Sequence, residues 1–177
     1  DGNALRLTTG KTQATVLEWV SASLTASLSL VAVTDNSIVV SLVGDSDDRI
    51  DFIRRHLHGN VKFHPLGRHG APTIHKRRYI DSHTGSKLFE LYTLDDAPID
   101  RSTENKLLGF LKSRIVEYDL VVVADYGHGM MSGPIIDLVT KKSKFLAVNT
   151  QVNAGNRGFH TISRYPRADY VCLNGGE

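Results

Sequence analysis

Apolar residues Val16, Leu17, Val20, Leu24, Leu28 and Val31 recur at steps of three and four, which predicts a helix over residues 12–33 with Trp19 broadening its stripe. The polar cluster at residues 34–37 breaks that pattern. A continuous apolar run at residues 38–43 then reads as a buried strand ending at Gly44 and Asp45. Ser46 or Asp47 can cap the next helix, whose apolar face is Ile50, Ile53 and Leu57 and whose stop is Gly59.

The period changes after that. Residues 61–94 show two-residue alternation and polar turns, the pattern of short strands. Over residues 72–81 the alternation places Ile74, Lys76, Arg78 and Ile80 on one face, with His75, Arg77 and Tyr79 on the other. The turn at residues 81–86 returns the chain through residues 87–92, so a hairpin or small lobe is expected to project from the sheet. Beyond Pro98 the longer period resumes. Asp100 or Ser102 can cap a helix with a Leu107, Leu108, Leu111 and Ile115 stripe, leading into a strand at residues 120–124. Ser132 is a cap for the next helix, with Pro134 tolerated in its first turn, and residues 145–148 and 170–173 read as further buried strands. The predicted fold class is α/β: one domain over residues 1–177, a doubly wound, mostly parallel sheet with an inserted β lobe or lid at residues 61–94.

Composition adds limits. The chain has 177 residues, 41% hydrophobic and 23% charged, enough for one sizeable core. Its 21 Lys and Arg against 19 Asp and Glu give a net charge of +2, so overall charge calls for neither a nucleic-acid nor a membrane partner. The charge is unevenly distributed, however. From Phe52 to Ile80 there is no acidic residue, while basic side chains and five of the eight histidines cluster there, as an anion site or a solvated basic face. Cys172 is the single cysteine and sits in an apolar run, the pattern of a buried core thiol in a reducing compartment. No apolar run approaches the roughly 18 residues of a spanning helix, and no leader pattern opens the chain. A cytoplasmic location is the expectation.

Candidate chemistry concentrates at strand ends, where parallel α/β sheets place ligands. The run from Asp119 ends in the loop Asp125-Tyr-Gly-His-Gly129, a carboxylate followed by glycines that permit close backbone approach. The alternative is a tight strand-to-helix turn in which Asp125 bonds nearby amides. The run from Asp169 ends in Asn174-Gly-Gly-Glu177, an amide and a carboxylate able to hold hydrated Mg²⁺ or phosphate-bound water, or simply a turn. Gly10-Lys11-Thr12 lacks the first glycine and the preceding strand of a P-loop. His56, His58 and His64 have no cysteine or carboxylate at zinc-ligand spacing.

In combination these pieces form an order: Val-Gly-Asp after an αβ unit, a Pro-Thr-x-x-Lys-x-Arg strand, a Val-Val-x-x-Asp-Tyr-Gly-x-Gly loop and a closing Asn-x-x-Glu. That order resembles the ribokinase-like (PfkB) carbohydrate kinases, most closely the heptose-phosphate kinase branch, whose members often carry a nucleotidyltransferase domain. The resemblance implies that Asp125, Gly127 and Gly129 border a sugar site and that Lys76 and Arg78 reach a sugar phosphate. It implies that Asn174 and Glu177 organise Mg²⁺ and the phosphates of ATP. The family's opening strand with its substrate-binding Asp has no counterpart here, and the Gly-Gly-x-x-x-Asn start of its first helix is reduced to Thr9-Gly-Lys-Thr-Gln13. The Gly-x-Gly-Asp loop that supplies the family's catalytic base follows the Asn-x-x-Glu, and the sequence ends before it. The base and the phosphate-holding groups must surround one in-line geometry. The expectation is therefore the middle part of a kinase, with no catalytic residue assigned, binding a sugar or sugar phosphate and inactive without a complementing partner chain. A non-catalytic phosphosugar or nucleotide module is a second reading. A third is a self-associating interaction module, a homodimer through exposed strand edges.

Overall fold

Valine-rich runs become parallel strands in both halves of the chain. The computed structural model describes residues 6–9, 12–15, 37–45, 50–57, 59–152 and 160–173. It divides the chain into two units, Asp1–Asp95 and Asp96–Glu177.

In the first unit, β1 (Arg6–Thr9) and β2 (Thr12–Thr15) pair antiparallel, with Thr9 opposite Thr12. This corrects the expected helix at its start. The 3.6-residue stripe begins only at Val16, and the threonine-rich stretch before it has the β-branched side chains that favour strands. The remainder of that predicted helix lies outside the described residues, as do the caps Ser46 and Asp47.

Strand β3 (Ser37–Gly44) runs parallel to β4 (Val61–Arg68), with helix α1 (Ile50–His56) between them in the chain. A parallel pair needs a long crossover, and the intervening residues supply one. Within the span read as a lobe, β4 is thus a sheet partner of β3. The antiparallel part is the hairpin of β5 (His75–Ile80) and β6 (Lys87–Thr93). Its turn forms for a local reason. Asp81 Oδ1 accepts from the backbone N–H groups of His83 (3.0 Å) and Thr84 (2.7 Å), and Gly85 takes φ +68°. Burial in β3 is less complete than its apolar run suggests: only Val43 and Gly44 are buried. Gly44 is a close-approach glycine, since a Cβ there would lie 2.2 Å from Pro72 C and Thr73 N.

The second unit holds helix α2 (Arg101–Arg114), strand β7 (Leu120–Asp125), helix α3 (Gly133–Lys142), strand β8 (Phe145–Thr150) and strand β9 (Tyr170–Val171). The three strands form one parallel sheet in the order β7-β8-β9. Asp100 caps α2 as expected, accepting from the N–H groups of Ser102 (2.8 Å) and Thr103 (3.0 Å). Leu107 and Ile115 from its stripe are buried. The core gathers Ile115, Val123, Ile136, Val139, Leu146, Val148 and Tyr165, so alternate residues of β7 and β8 meet one face of α3. Arg167 closes the far end of α3, donating to Thr140 O (3.1 Å) and Ser143 O (3.0 Å). Cys172 corrects its expectation: it lies just past the short β9 and is half-buried rather than a core thiol. The α/β class with mostly parallel pairing stands, and no helix among the described residues is long and apolar enough to cross a membrane.

Candidate functional site

Register sets the site. β7 and β8 pair residue for residue up to Asp125 opposite Thr150, so both side chains fall on the core-facing side of the sheet at its carboxyl end. Asp125 is 4% exposed and Thr150 fully buried. The chain beyond β7 turns sharply: Gly127 has φ +74° and Gly129 φ +83°. A Cβ on Gly129 would lie 2.2 Å from Ala97 O, and Gly129 O accepts from Ile99 N at 3.2 Å. These glycines therefore have a structural reason to be there.

A buried carboxylate is costly unless its lone pairs are met, and here protein donors meet them. Asp125 Oδ1 accepts from Gly127 N–H at 3.1 Å and faces His160 Nε2 at 3.2 Å. Oδ2 accepts from the Tyr165 hydroxyl at 2.7 Å and from Arg164 Nη1 at 3.1 Å. Three hydrogen bonds thus reach the carboxylate, at least one on each oxygen. Burial first, and then the Asp125 charge, push the Tyr165 hydroxyl far above its ordinary range, so it stays protonated and donates. Arg164 Nη1 also lies 2.9 Å from His160 Nδ1. A guanidinium has only donors, so Nδ1 is the acceptor, His160 is neutral and its proton is on Nε2. That Nε2–H is aimed at Asp125, 3.1 Å from its backbone oxygen.

The sequence pointed to Asp125, Gly127 and Gly129, which the fold brings together. It missed His160, Arg164 and Tyr165. Asn174 and Glu177 lie outside the described residues. Thr150 Oγ1, buried beside Asp125, has no hydrogen-bond partner among the described residues.

Lys76 and Arg78 belong to the first unit, on one face of the β5–β6 hairpin as the alternation predicts. Lys76 Nζ sits 5.0 Å over the Tyr92 ring. Arg78 Nε donates to Glu90 Oε1, and the Tyr92 hydroxyl donates to Glu90 Oε2 at 2.7 Å. The Tyr92 bond foremost, then Arg78, lower the Glu90 carboxyl to about 2. Elsewhere in the basic stretch, Arg68 is buried against Asp95 Oδ2 at 3.0 Å. No group of three His, Cys, Asp or Glu side chains with metal-site geometry occurs among the described residues.

Fold and site together define an α/β protein whose parallel strands end in a polar, glycine-bordered cluster. Comparison with known proteins narrows this. The chain is 27% identical over 108 residues to the bifunctional protein HldE of Hyphomonas neptunium, covering 61% of this chain and 21% of that protein. It is 24% identical over 105 residues to the bifunctional protein HldE of Wolinella succinogenes, covering 59% of this chain and 21% of the relative. The match thus spans about a fifth of the length of these curated relatives. About three fifths of this chain is similar to a stretch of the two HldE proteins. No family model matches.

Proposed function

We propose that the chain is the sugar-phosphate-binding part of a carbohydrate-kinase-like protein. The observation that carries this reading is the in-register ending of β7 and β8 at Asp125 and Thr150, followed by a glycine turn into α3. Ligands of open α/β sheets bind at such strand ends. The likeness to HldE supports it, as does the sequence resemblance to the PfkB kinases.

Mg²⁺ and ATP are implied by that resemblance; for the metal, no group of three His, Cys, Asp or Glu side chains with metal-site geometry occurs among the described residues. Both Asp125 carboxylate oxygens already accept hydrogen bonds from protein donors. Asn174 and Glu177 remain the proposed metal or phosphate pair, and no phosphoryl-transfer step is assigned. Lys76 and Arg78 remain the proposed phosphate contacts of the hairpin; Arg78 would then share its charge with Glu90.

Titration calorimetry with heptose and hexose phosphates, with and without Mg²⁺ and ATP, combined with a coupled assay for product, tests the proposal. Binding without turnover is the expected result. Turnover by the chain alone would show that another group replaces the family's base. Absence of binding would favour a second reading, a self-associating module. That reading has its own observation: Tyr79, Phe89 and Leu91 of the hairpin are large apolar side chains left 36%, 51% and 52% exposed.

A further inference from the structure

Asp125 is the acid that the strand-end motif singles out, yet its oxygens are all engaged. The charged group that still has hydrogen bonds to give is Arg164. A guanidinium carries five N–H donors. Nη1 directs its two at Asp125 Oδ2 (3.1 Å) and His160 Nδ1 (2.9 Å), and Nη2 directs one at Met131 O (2.7 Å). Nε–H and the second Nη2–H have no partner among the described residues. The side chain is 34% exposed, so these donors have access to solvent while the rest of the group is fixed.

The surroundings favour an anion. Met131 immediately precedes Ser132, the N-cap of α3, and the first-turn N–H groups of a helix lack intrahelical acceptors. The Ser132 hydroxyl makes no capping bond there and its Oγ is buried without a partner among the described residues. The start of α3 contributes a partial positive charge of about half a unit. Asp125 offsets Arg164, and neutral His160 adds nothing, so no uncompensated acid of the cluster opposes an incoming oxyanion. Asp96, whose Oδ1 lies 2.8 Å from His128 Nδ1, is engaged there.

We infer that Arg164 is the anion-contacting residue of the strand-end site, taking a phosphate monoester on its Nε–H and remaining Nη2–H. Asp125, His160 and the Met131 carbonyl are positioning groups that hold the guanidinium flat toward the ligand. The roles expected from sequence are thereby divided, with Asp125 orienting the arginine and the arginine meeting the ligand. The inference deepens the proposed function, rests on it for the sugar that carries the phosphate, and moves the phosphate contact from Lys76 and Arg78 to Arg164.

The test uses the whole 177-residue chain. The ¹⁵N resonance of the Arg164 side chain is followed while inorganic phosphate, a hexose 6-phosphate or the unphosphorylated hexose is added. The expected result is a saturable shift of Arg164 Nε–H with both phosphates and none with the free hexose. Arg164→Lys keeps the charge and loses the planar fork, so it should weaken phosphate binding by about tenfold. Hexose phosphate that binds while Arg164 Nε–H stays still, with unchanged affinity in Arg164→Lys, would overturn the inference and leave the proposed function standing. A shift with both phosphates but no tighter binding of the hexose phosphate than of inorganic phosphate would sustain the inference and refute the proposed function. Absence of binding of either phosphate would overturn both. The wild-type titration decides the matter even if the variant folds poorly.

Discussion

Asp125 shows how a residue noticed for one kind of chemistry can be held by another. Its carboxylate compensates Arg164, receives the Tyr165 hydroxyl and meets the neutral His160, so removing its charge leaves a cation with no counter-ion. Asp125→Asn is expected to destabilise the second unit by about 2 kcal/mol, measured by urea unfolding. That is below the cost of breaking a fully buried pair, because Arg164 keeps a third of its side chain in water. Loss of less than about 0.5 kcal/mol, the range of ordinary surface changes, would mean that the cluster does not form. Gly129 gives the complementary case of a residue whose role is space. With φ at +83° and Ala97 O 2.2 Å from any added Cβ, Gly129→Ala must shift backbone against backbone and disturb the Ile99 N–H bond to Gly129 O. The expected cost is roughly 2 kcal/mol or more, read from the same unfolding curves.

Among the elements, those governed by short-range chemistry were the readable ones. Asp100 caps α2 through N–H groups two and three residues away, and Asp81 builds its turn over the same distances. The apolar run of β8 is buried on both faces, as in parallel sheets, whereas β7 buries only Val123 and Asp125. Pairing direction is different: alternation in β4 fits either sense, and the choice lies in the crossover through α1. The partners of Asp125 were unreadable for a similar reason. His160, Arg164 and Tyr165 lie 35 to 40 residues downstream, joined to it only by the folded sheet. The β5–β6 hairpin carries a prediction of its own. Its cross-strand pairs place Lys76 opposite Tyr92 and Arg78 opposite Glu90, and the Glu90 carboxyl is lowered from 4.5 to about 2, first by the Tyr92 hydroxyl and then by Arg78. A carboxyl lowered on folding contributes stability that is full above its unfolded value and is lost as pH falls through the folded one. The hairpin should therefore loosen between about pH 4.5 and pH 2. A ¹³C titration of Glu90 should show a midpoint near 2, and Tyr92→Phe should raise it; an ordinary midpoint in the wild type would mean that these bonds do not form.

For the molecule as a whole, the open question is what covers the hairpin. β5 and β6 form a two-stranded sheet of their own, and isolated two-stranded sheets are marginal in water. The face carrying Lys76, Arg78, Glu90 and Tyr92 is held by charge and hydrogen bonds. The opposite face pairs Tyr79 with Phe89, their rings stacked at 4.4 Å, and Arg77 with Leu91. That face leaves Tyr79, Phe89 and Leu91 exposed to solvent, and a second copy of the chain offers the same surface for a two-fold contact. The self-associating reading predicts a concentration-dependent dimer in sedimentation velocity, with or without sugar phosphate. Leu91→Lys places a charge in the middle of the apolar face at a position already half in water, so monomer stability should change by no more than about 0.5 kcal/mol. The dimer should dissociate in that variant. Tyr92, on the other face, makes the control: Tyr92→Phe removes the bond to Glu90 and leaves the apolar face intact, so it should stay dimeric. A wild-type chain that sediments as a monomer throughout would remove this reading, and the exposed apolar face would then belong to a monomer.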